Sequence, residues 1–492
     1  MLSTAEIKKF IDDDILSKKK KFAQMGQRYY EAEHDILRSR LFYFDADGKL
    51  VEDKVRSNVK ICHPFFTELS DQLGAYIMSF QENPIRAKAG KDTTAQLQGY
   101  LDEYFDDEFW AETEEWIIGT YSKGFEYLYG KRDDEGKLKF FCADSIGVVE
   151  VEARYASDNQ DHMLYWYVDK IDKEGNKVVK IMDWDATSIA YYMREKESAD
   201  VVKDRSVAMN PRPHVIETDP KTKKSIAKPF GFIPFWRLDN NKKQVSGLKP
   251  IKHLIDDYDM MQCGLTNNLA DFDTPLHVVT GFDGDNLDEL QKNIKTKKII
   301  GVGEGGDVEV RTIAIPYEAR KVKADEDEKN IYRFGMGFNS SAMGDGNITN
   351  VVIRSRYTLL DLKAKKLTKR LKTQLKKIVK VVLDEINTEN KTDFKLSDVE
   401  FKFEYNIMTN ETENKQNALV EANTRQVEIN TILNVAAQVG DEQTLKAICD
   451  VMDWNFEELQ DEIEKLKAEQ ETLAAKKALN KTAVDEEAEP VE

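Results

Sequence analysis

The stretch that decides the fold is residues 351–387, VVIRSRYTLLDLKAKKLTKRLKTQLKKIVKVVLDEIN, which carries the longest helical signal in the chain. Aliphatic residues recur in it at three- to four-residue spacing, the pattern of one apolar face on an α-helix. This apolar stripe consists of Leu360, Leu367, Leu371, Leu375, Ile378, Val382 and Ile386. The stretch therefore predicts a long amphipathic helix.

The same helix is strongly basic in an acidic chain. Between positions 354 and 380 there are eleven basic residues and one acid, Asp361, whereas the 492-residue chain has a formal net charge of −18. The basic residues are Arg354, Arg356, Lys363, Lys365, Lys366, Lys369, Arg370, Lys372, Lys376, Lys377 and Lys380. Charge alone leaves three interpretations open: a solvated face, a surface that meets acidic neighbours in an oligomer, or a surface that meets a phosphate backbone.

A glycine-rich polar segment precedes the basic helix. Residues 335–350 read GMGFNSSAMGDGNITN, with four glycines in sixteen positions. This composition favours neither a helix nor a strand, so the segment is predicted to be a mobile loop. Because a helix can present such a loop to a passing ligand, the loop strengthens the oligomer and phosphate interpretations of the basic helix.

The rest of the chain divides into helical and strand-rich parts. Helical spacing is found over residues 5–40, 64–80, 92–119, 246–273, 318–334 and from 411 to about 478. The middle, 121–234, alternates β-rich runs with turns at Glu135-Gly136 and Glu174-Gly175-Asn176, and Asp47-Gly48 predicts another hairpin. A small α/β insert, with a short helix over 286–294, follows residue 274. The expected fold class is α+β.

Composition excludes several classes of protein. The four cysteines, Cys62, Cys142, Cys263 and Cys449, are too widely spaced for a disulfide framework or a zinc site and are predicted to be free. No window is long and apolar enough to span a membrane, and the N-terminal residues lack the hydrophobic core of a signal peptide. The acidic balance argues against a general nucleic-acid-binding protein.

No motif predicts catalysis, a cofactor or a metal. GVGEGG at 301–306 matches a dinucleotide-binding pattern, but the alternating run DVEVRTIAI follows where a helix is required, so a turn between strands is expected. The acidic runs at 45–53 and 282–289 lack the glycine and glutamate positions of an EF-hand. The six histidines form no metal-binding pair, and no nucleophile motif is present. An enzyme is therefore disfavoured.

The order of segments resembles that of the portal, or head-to-tail connector, proteins of long-tailed double-stranded DNA bacteriophages. The resemblance covers about residues 20–440. The segments that carry it are YYEAEHDIL (29–37), NVKICHPFFTELSDQLGAYIMSFQENPI (58–85), IPF (233–235), LKPIKHLIDDYD (248–259) and NIYRFGMGFN (330–339). NITNVVIRSRY, at the start of the basic helix, departs from the small-residue run of many relatives, and the C-terminal tail has no clear match.

The resemblance implies a helical stem and crown, an α/β wing with an antiparallel β region, and a small α/β clip. The implied parts are N-terminal helices and wing (1–245), stem helix 1 (246–274), clip (275–316), stem helix 2 (317–335), tunnel loop (336–350), long wing helix and following strand (351–410), crown (411–480) and a disordered acidic tail (481–492). It further implies a portal vertex subunit that forms a channel for DNA packaging, head–tail joining and DNA ejection. Another phage head or scaffold-interacting structural protein is the alternative.

The resemblance also implies partners and a location. The partners are further copies of the chain in a ring of about twelve, with thirteen possible in isolation, double-stranded DNA bound without sequence specificity, a terminase motor, scaffold and major capsid proteins, and a head–tail adaptor. The location is the virion portal vertex, after assembly in the host cytoplasm. We expect weak polar contacts to DNA from the tunnel-loop residues Asn339, Ser340, Ser341, Asn347, Thr349 and Asn350. We expect the basic helix mainly to pair with acidic neighbours, such as those of 318–328, across subunits.

Overall fold

The structure is a computed structural model. It describes residues 2–54, 56–88, 93–132, 136–152, 161–196, 199–218, 225–272, 276–281, 302–311, 316–339, 350–405 and 411–452, together with 456 and 459. The chain forms two compact units, one of Met1–Asp345 with Ser355–Ile407 and one of Gly346–Arg354 with Met408–Glu492. It is half helical with a smaller share of strand, which confirms the predicted α+β class.

Ten α-helices lie in the described residues. They are α1 (Thr4–Ile15), α2 (Lys18–Tyr30), α3 (Phe65–Ile77), α4 (Thr94–Tyr104), α5 (Asp107–Lys123), α6 (Lys252–Phe272), α7 (Tyr317–Gly335), α8 (Asn350–Asn390), α9 (Glu411–Val439) and α10 (Asp441–Met452). None of these helices combines the length and apolar character that crossing a bilayer requires.

Seventeen short strands accompany the helices in the described residues. They are β1 (Phe42–Phe44), β2 (Leu50–Glu52), β3 (Ile85–Ala87), β4 (Phe125–Arg132), β5 (Leu138–Ala143), β6 (Val148–Val151), β7 (His162–Ile171), β8 (Lys177–Trp184), β9 (Ser188–Arg194), β10 (Val202–Lys203), β11 (Arg212–Pro213), β12 (Val215–Thr218), β13 (Ser225–Lys228), β14 (Phe235–Asp239), β15 (Leu276–Thr280), β16 (Asp307–Arg311) and β17 (Val399–Phe401).

The N-terminal region is helical over only part of the stretch predicted over 5–40. Two helices, α1 and α2, are separated at Leu16 and Ser17, because the Ser17 hydroxyl caps α2 by accepting the backbone N–H of Lys20 at 3.2 Å. Helix α2 ends at Tyr30, and only a 3₁₀ turn, Asp35–Arg38, follows. Local capping therefore divides a stretch whose apolar spacing is continuous.

The strand-rich middle confirms the predicted hairpins. The β10-β9-β8-β7-β6 sheet, with β11 beside β9, and the β14-β4-β5 sheet are antiparallel throughout. Gly136 and Gly175 adopt positive φ between β4 and β5 and between β7 and β8, and Gly48 does so between β1 and β2. Another boundary was predicted wrongly: α5 continues past Gly119 to Lys123, because Gly124 supplies the left-handed cap.

The main core forms around α8. All seven residues of the predicted apolar stripe are buried, and they cluster with residues of α3, α5 and the β14-β4-β5 sheet. The helix extends from Asn350 to Asn390, slightly beyond the predicted 351–387. The sequence pattern was sufficient here because one face of a 3.6-residue repeat has to be covered by the rest of the fold.

Helices α6 and α7 form an antiparallel pair. Lys323 of α7 binds Asp257 of α6 at 2.6 Å, and Arg320 lies beside Gly264, farther along α6. Helix α6 begins at Lys252 rather than at 246, because Ser246–Ile251 is a turn in which the Ser246 hydroxyl accepts the N–H of Leu248.

Strands β15 and β16 lie between α6 and α7 in the chain and pair with each other. The strand that follows the glycine-rich 301–306 confirms the predicted turn and excludes a dinucleotide-binding helix there. The predicted helix over 286–294 lies outside the described residues.

The second unit contains α9 and α10. Gly440, with φ of +94°, separates the two helices, which agree with the helices predicted from 411 onward as far as the structure describes them. The remainder of that prediction, together with the acidic tail, lies outside the described residues.

Candidate functional site

The first residues of the glycine-rich segment are fixed against α3. The side-chain amide of Gln72 accepts the N–H of Phe338 at 3.0 Å and donates to its carbonyl at 2.8 Å. One turn before Gln72 on α3, Glu68 accepts a hydrogen bond from the Tyr332 hydroxyl at 2.6 Å. These two hydrogen bonds fix both the position and the orientation of the Phe338 backbone. The glycine-rich segment is therefore held in place at its N-terminal end.

Two glycines allow the chain to approach α3 this closely. A Cβ at Gly335 or at Gly337 would overlap the side chain of Leu69, which is fully buried. Met336, between them, ends α7 in the left-handed conformation. The glycines that sequence analysis assigned only to mobility therefore serve close packing at this end of the segment.

The predicted loop residues are only partly within the structure. Asn339 is described, and its side-chain amide donates to Glu328 of α7 at 2.9 Å. Asn350 is the first residue of α8, although its side chain is outside the described part. Ser340, Ser341, Asn347 and Thr349 lie outside the described residues. Their proposed contact with DNA stays a prediction.

Lys363 does not belong with the exposed cations of the basic helix. Its amine donates to the carbonyl of Gly335 at 3.0 Å and lies 4.4 Å from the centre of the Tyr121 ring. Burial lowers the pKa of this amine to about 7. The Tyr121 hydroxyl donates to the same carbonyl at 3.3 Å. Lys363 and Tyr121 together therefore hold the end of α7, which is the start of the glycine-rich segment.

The other predicted basic residues have different surroundings. Lys365 pairs with Asp361 at 2.7 Å on the surface of α8. Lys366 and Lys369 are exposed, whereas Arg370 and Arg356 are partly buried. The side chain of Arg354 is outside the described part. The basic helix is thus not one uniform face: Lys365, Lys366 and Lys369 are exposed, and among the described residues only Lys365 of these three forms an ion pair.

A buried carboxylate joins α6 to the segments that flank α3. Asp259 is completely buried and accepts hydrogen bonds from His34 at 2.6 Å and from the ring and backbone N–H of His63 at 2.8 and 2.9 Å. Burial raises the pKa of Asp259, but the hydrogen bonds from His34 and His63 outweigh it and leave the pKa below its usual value. Among the described residues, no cluster has the composition and geometry of a metal site. Asp259 is therefore a structural link between α6 and the two segments before α3 that carry His34 and His63.

Sequence reasoning named Lys363 but missed its burial, and it missed the Asp259 cluster. Lys363 lies three residues after Leu360 and four before Leu367, so its helical position on the apolar stripe could have indicated burial. No local signal identifies Asp259, because His34 and His63 are about 200 positions away in sequence.

Comparison with known proteins gives a consistent result along nearly the whole chain. A family model described as "Phage portal protein, SPP1 Gp6-like" matches residues 9–476. The portal protein of Bacillus phage SPP1 is 28% identical over 378 residues, which are 75% of this chain and 71% of that protein. The portal protein of Clostridium phage phiCD119 is 30% identical over 189 residues, which are 37% of this chain and 41% of that protein.

The α+β fold and these matches define the class: a structural protein of the phage head. More particularly, the chain belongs to the phage portal protein family of the SPP1 Gp6-like type. It is a portal vertex subunit that serves DNA packaging, and portal proteins form oligomeric rings in phage heads. The resemblance predicted from the segment order is confirmed, and the portal assignment is favoured over another head or scaffold-interacting protein.

Proposed function

We propose that this chain forms a ring-shaped conduit for double-stranded DNA, with α6 and α7 in the stem around its bore. The observation that carries the proposal is the antiparallel α6–α7 pair, whose chain order brings the β15–β16 hairpin between the helices and the glycine-rich segment after them. The proposed parts keep the ranges expected from the sequence: stem (246–274 and 317–335), clip (275–316), tunnel loop (336–350), wing (1–245 and 351–410) and crown (411–480). The ring contains about twelve copies.

The tunnel loop is proposed to contact the duplex weakly. A conduit has to let a polyanion slide, so uncharged polar side chains serve better than a continuous line of cations, which would hold phosphates strongly. The proposed contacts come from Asn339, Ser340, Ser341, Asn347, Thr349 and Asn350. The formal net charge of −18 per subunit agrees with weak retention.

The other proposed partners bind either the clip or the ring as a whole. The clip is proposed to meet the terminase motor during packaging and the head–tail adaptor afterwards, and the ring is proposed to meet scaffold and major capsid proteins. Assembly takes place in the host cytoplasm, and the ring then stays at the portal vertex of the virion.

The accessible cations of α8 are proposed to serve contacts between subunits. Replacing Lys365, Lys366 and Lys369 together by glutamate should impair ring formation, because like charges would then face each other across the contact. Size-exclusion chromatography with light scattering measures the result. Intact rings that package DNA poorly would instead favour direct contact between these lysines and DNA.

Two measurements test the conduit itself. Negative-stain microscopy of the purified protein should show rings with a central hole, and a homogeneous monomer would contradict the proposal.

A photo-crosslinking residue at position 347 should then attach to duplex DNA in rings that have packaged it. The same residue at position 173, in the turn between β7 and β8, is the control and should give no adduct above background.

A further inference from the structure

A strip of unpaired lysines crosses one part of the wing and stem. Two adjoining cavities, of about 690 and 360 Å³, share Val245 and Lys249 in their walls. Among the residues that the structure describes, no carboxylate lines either wall. The basic strip is defined here as Lys18, Lys19, Lys243, Lys249 and Lys366. Among the described residues, none of these five lysines forms an ion pair, although the Lys19 amine lies 3.8 Å from the centre of the Phe125 ring.

The larger cavity also exposes apolar side chains. Phe334, at the end of α7, is 52% exposed, and Leu362 of α8 is 53% exposed. Both line the cavity together with Lys249 and Lys366. An apolar centre with a polar rim is the usual arrangement of a protein–protein contact, and the exposed apolar side chains with lysines beside them fit that arrangement.

A second strip, of opposite charge, lies on α3 and α5. A groove of about 710 Å³ is lined by Pro64, Phe65 and Ala75 together with two carboxylates, and no lysine or arginine of the described part of the chain lines it. The acidic strip is defined here as Glu68, Asp71, Glu114 and Glu115. Burial, and then the neighbouring Glu115 and Asp71, raise the pKa of Glu114. Within the part of the chain that the structure describes, no basic side chain pairs with these four residues.

The two strips lie at the same level of the fold, since both flank the end of α7. Glu68 of the acidic strip accepts the hydroxyl of Tyr332, and Phe334 and Gly335 line the larger basic cavity. A ring is built from contacts in which one surface of each copy meets a different surface of the next. Two complementary surfaces at one level are what such a contact requires.

We propose that the basic strip of one copy docks on the acidic strip of the next copy in the ring. This inference rests on the proposed ring. Phe334 and Leu362 then face the apolar floor formed by Pro64, Phe65 and Ala75, and the lysines surround them opposite the carboxylates. The proposed acidic partner is thus the α3–α5 surface; within 318–328, two of the acids, Asp327 and Glu328, already bind Lys323 and Asn339.

A second copy fits the two strips better than DNA does. A duplex would neutralise the lysines, but its phosphates would leave Phe334 and Leu362 without an apolar partner and would leave the acidic strip unpaired. A neighbouring copy pairs the lysines with carboxylates, covers Phe334 and Leu362 with apolar side chains, and neutralises the acidic strip.

Charge reversal tests the contact. One variant carries Lys243→Glu, Lys249→Glu and Lys366→Glu, and the other carries Asp71→Lys, Glu114→Lys and Glu115→Lys. At roughly 0.15 M salt, the fraction of protein in rings should fall on the order of tenfold or more for each variant alone, because like charges then meet at every contact. An equimolar mixture of the two should regain rings, in which the variants alternate. Mass photometry measures the ring fraction, and circular dichroism verifies that each variant is folded.

The controls separate this inference from the proposed ring. Lys170→Glu with Lys173→Glu reverses exposed charges near the β7–β8 turn and should leave the ring fraction unchanged. If the unmodified protein forms rings and both reversed variants do too, the inference is wrong while the conduit stands. Rings that persist in the lysine variant but no longer retain duplex DNA would assign the basic strip to DNA instead. An unmodified protein without rings would contradict both proposals.

Discussion

Two buried ionisable side chains, Asp259 and Lys363, join segments around α3, α6 and α7 through hydrogen bonds. Asp259 is the clearest case, because one carboxylate satisfies three donors from two segments that are distant in sequence. Lys363 is the opposite case, since its amine is buried with a carbonyl and an aromatic ring as neighbours and with no carboxylate partner among the described residues. The folded state lowers the pKa of both groups, so both predict stability that rises with pH, Asp259 in the acidic range and Lys363 above neutral pH.

Replacing Asp259 by asparagine should destabilise the protein by about 3 kcal/mol at pH 7, because the buried hydrogen bonds from His34 and His63 to a charged carboxylate are lost or weakened. The pKa of Asp259 is lowered in the folded state, so its contribution is present above the usual value of 3.8 and is lost as the pH falls through the folded pKa. The difference between wild type and variant should therefore shrink at pH 3. Urea unfolding at pH 7, 5 and 3 measures it. Asp257→Asn, which breaks a partly exposed pair with Lys323, should cost less than about 0.5 kcal/mol.

Replacing Lys363 by methionine should stabilise the protein at pH 6 by about 2 kcal/mol, because the variant has no buried amine to charge. With a folded pKa of about 7 against 10.5, the unfolded chain binds more protons between these values, so wild-type stability rises with pH across that window. The gain from methionine should accordingly disappear near pH 10. Thermal unfolding at pH 6, 8 and 10 measures this, with Lys369→Met as the exposed control. An equal gain at all three values would show that the amine is accessible to water.

At the scale of elements, close helix contacts depend on glycine. Gly26 of α2 faces α5, and a Cβ there would overlap the backbone carbonyl of Ser122. A backbone group cannot move aside as the end of a side chain can, so the spacing between the two helices is fixed by this residue. Gly99 of α4 has open space around its Cβ position.

Alanine at these two helical glycines should therefore have opposite effects. Gly99→Ala should stabilise the protein by about 0.5–1 kcal/mol, the ordinary gain of alanine over glycine in a helix. Gly26→Ala gains the same propensity but must separate α2 from α5, so a net loss of about 1–3 kcal/mol is expected. Denaturant unfolding of both variants provides the comparison, and a stabilised Gly26→Ala protein would show that the helices separate easily.

Apolar spacing and turn residues predicted most of the elements, but not all of their ends and none of their long-range contacts. The stripe from Leu360 to Ile386 and the Asp47-Gly48 turn are read correctly, because spacing and turn chemistry act between near neighbours. The break at Ser17 and the α6 start at Lys252 were missed, since a cap overrides continuous apolar spacing. The Gln72 bond to Phe338 joins residues 266 positions apart, and no pattern in a single sequence predicts such a pairing.

At the scale of the whole molecule, net charge and local charge act in opposite directions. Each subunit carries a formal charge of −18, so the copies in a ring repel one another over long distances. The basic and acidic strips attract at short range, where salt screens less.

Raising the salt concentration from roughly 0.01 to 0.15 M should therefore increase the ring fraction, because the Debye length falls from about 30 to 8 Å. Mass photometry across this series gives the answer, and the charge-neutral additive glycine betaine serves as a control for osmolarity. A ring fraction that falls steadily over the same range would mean that exposed ion pairs dominate assembly.

The attachment of Phe338 to Gln72 has a mechanical consequence for a channel under load. A pull on the chain beyond Asn339 is not borne by α7 alone, because two hydrogen bonds divert part of the force sideways into α3. That helix is anchored by Phe66, Leu69 and Leu73, all fully buried. In the proposed conduit, a moving duplex that drags on the segment would thus strain the rigid interior of the subunit before it could unwind α7.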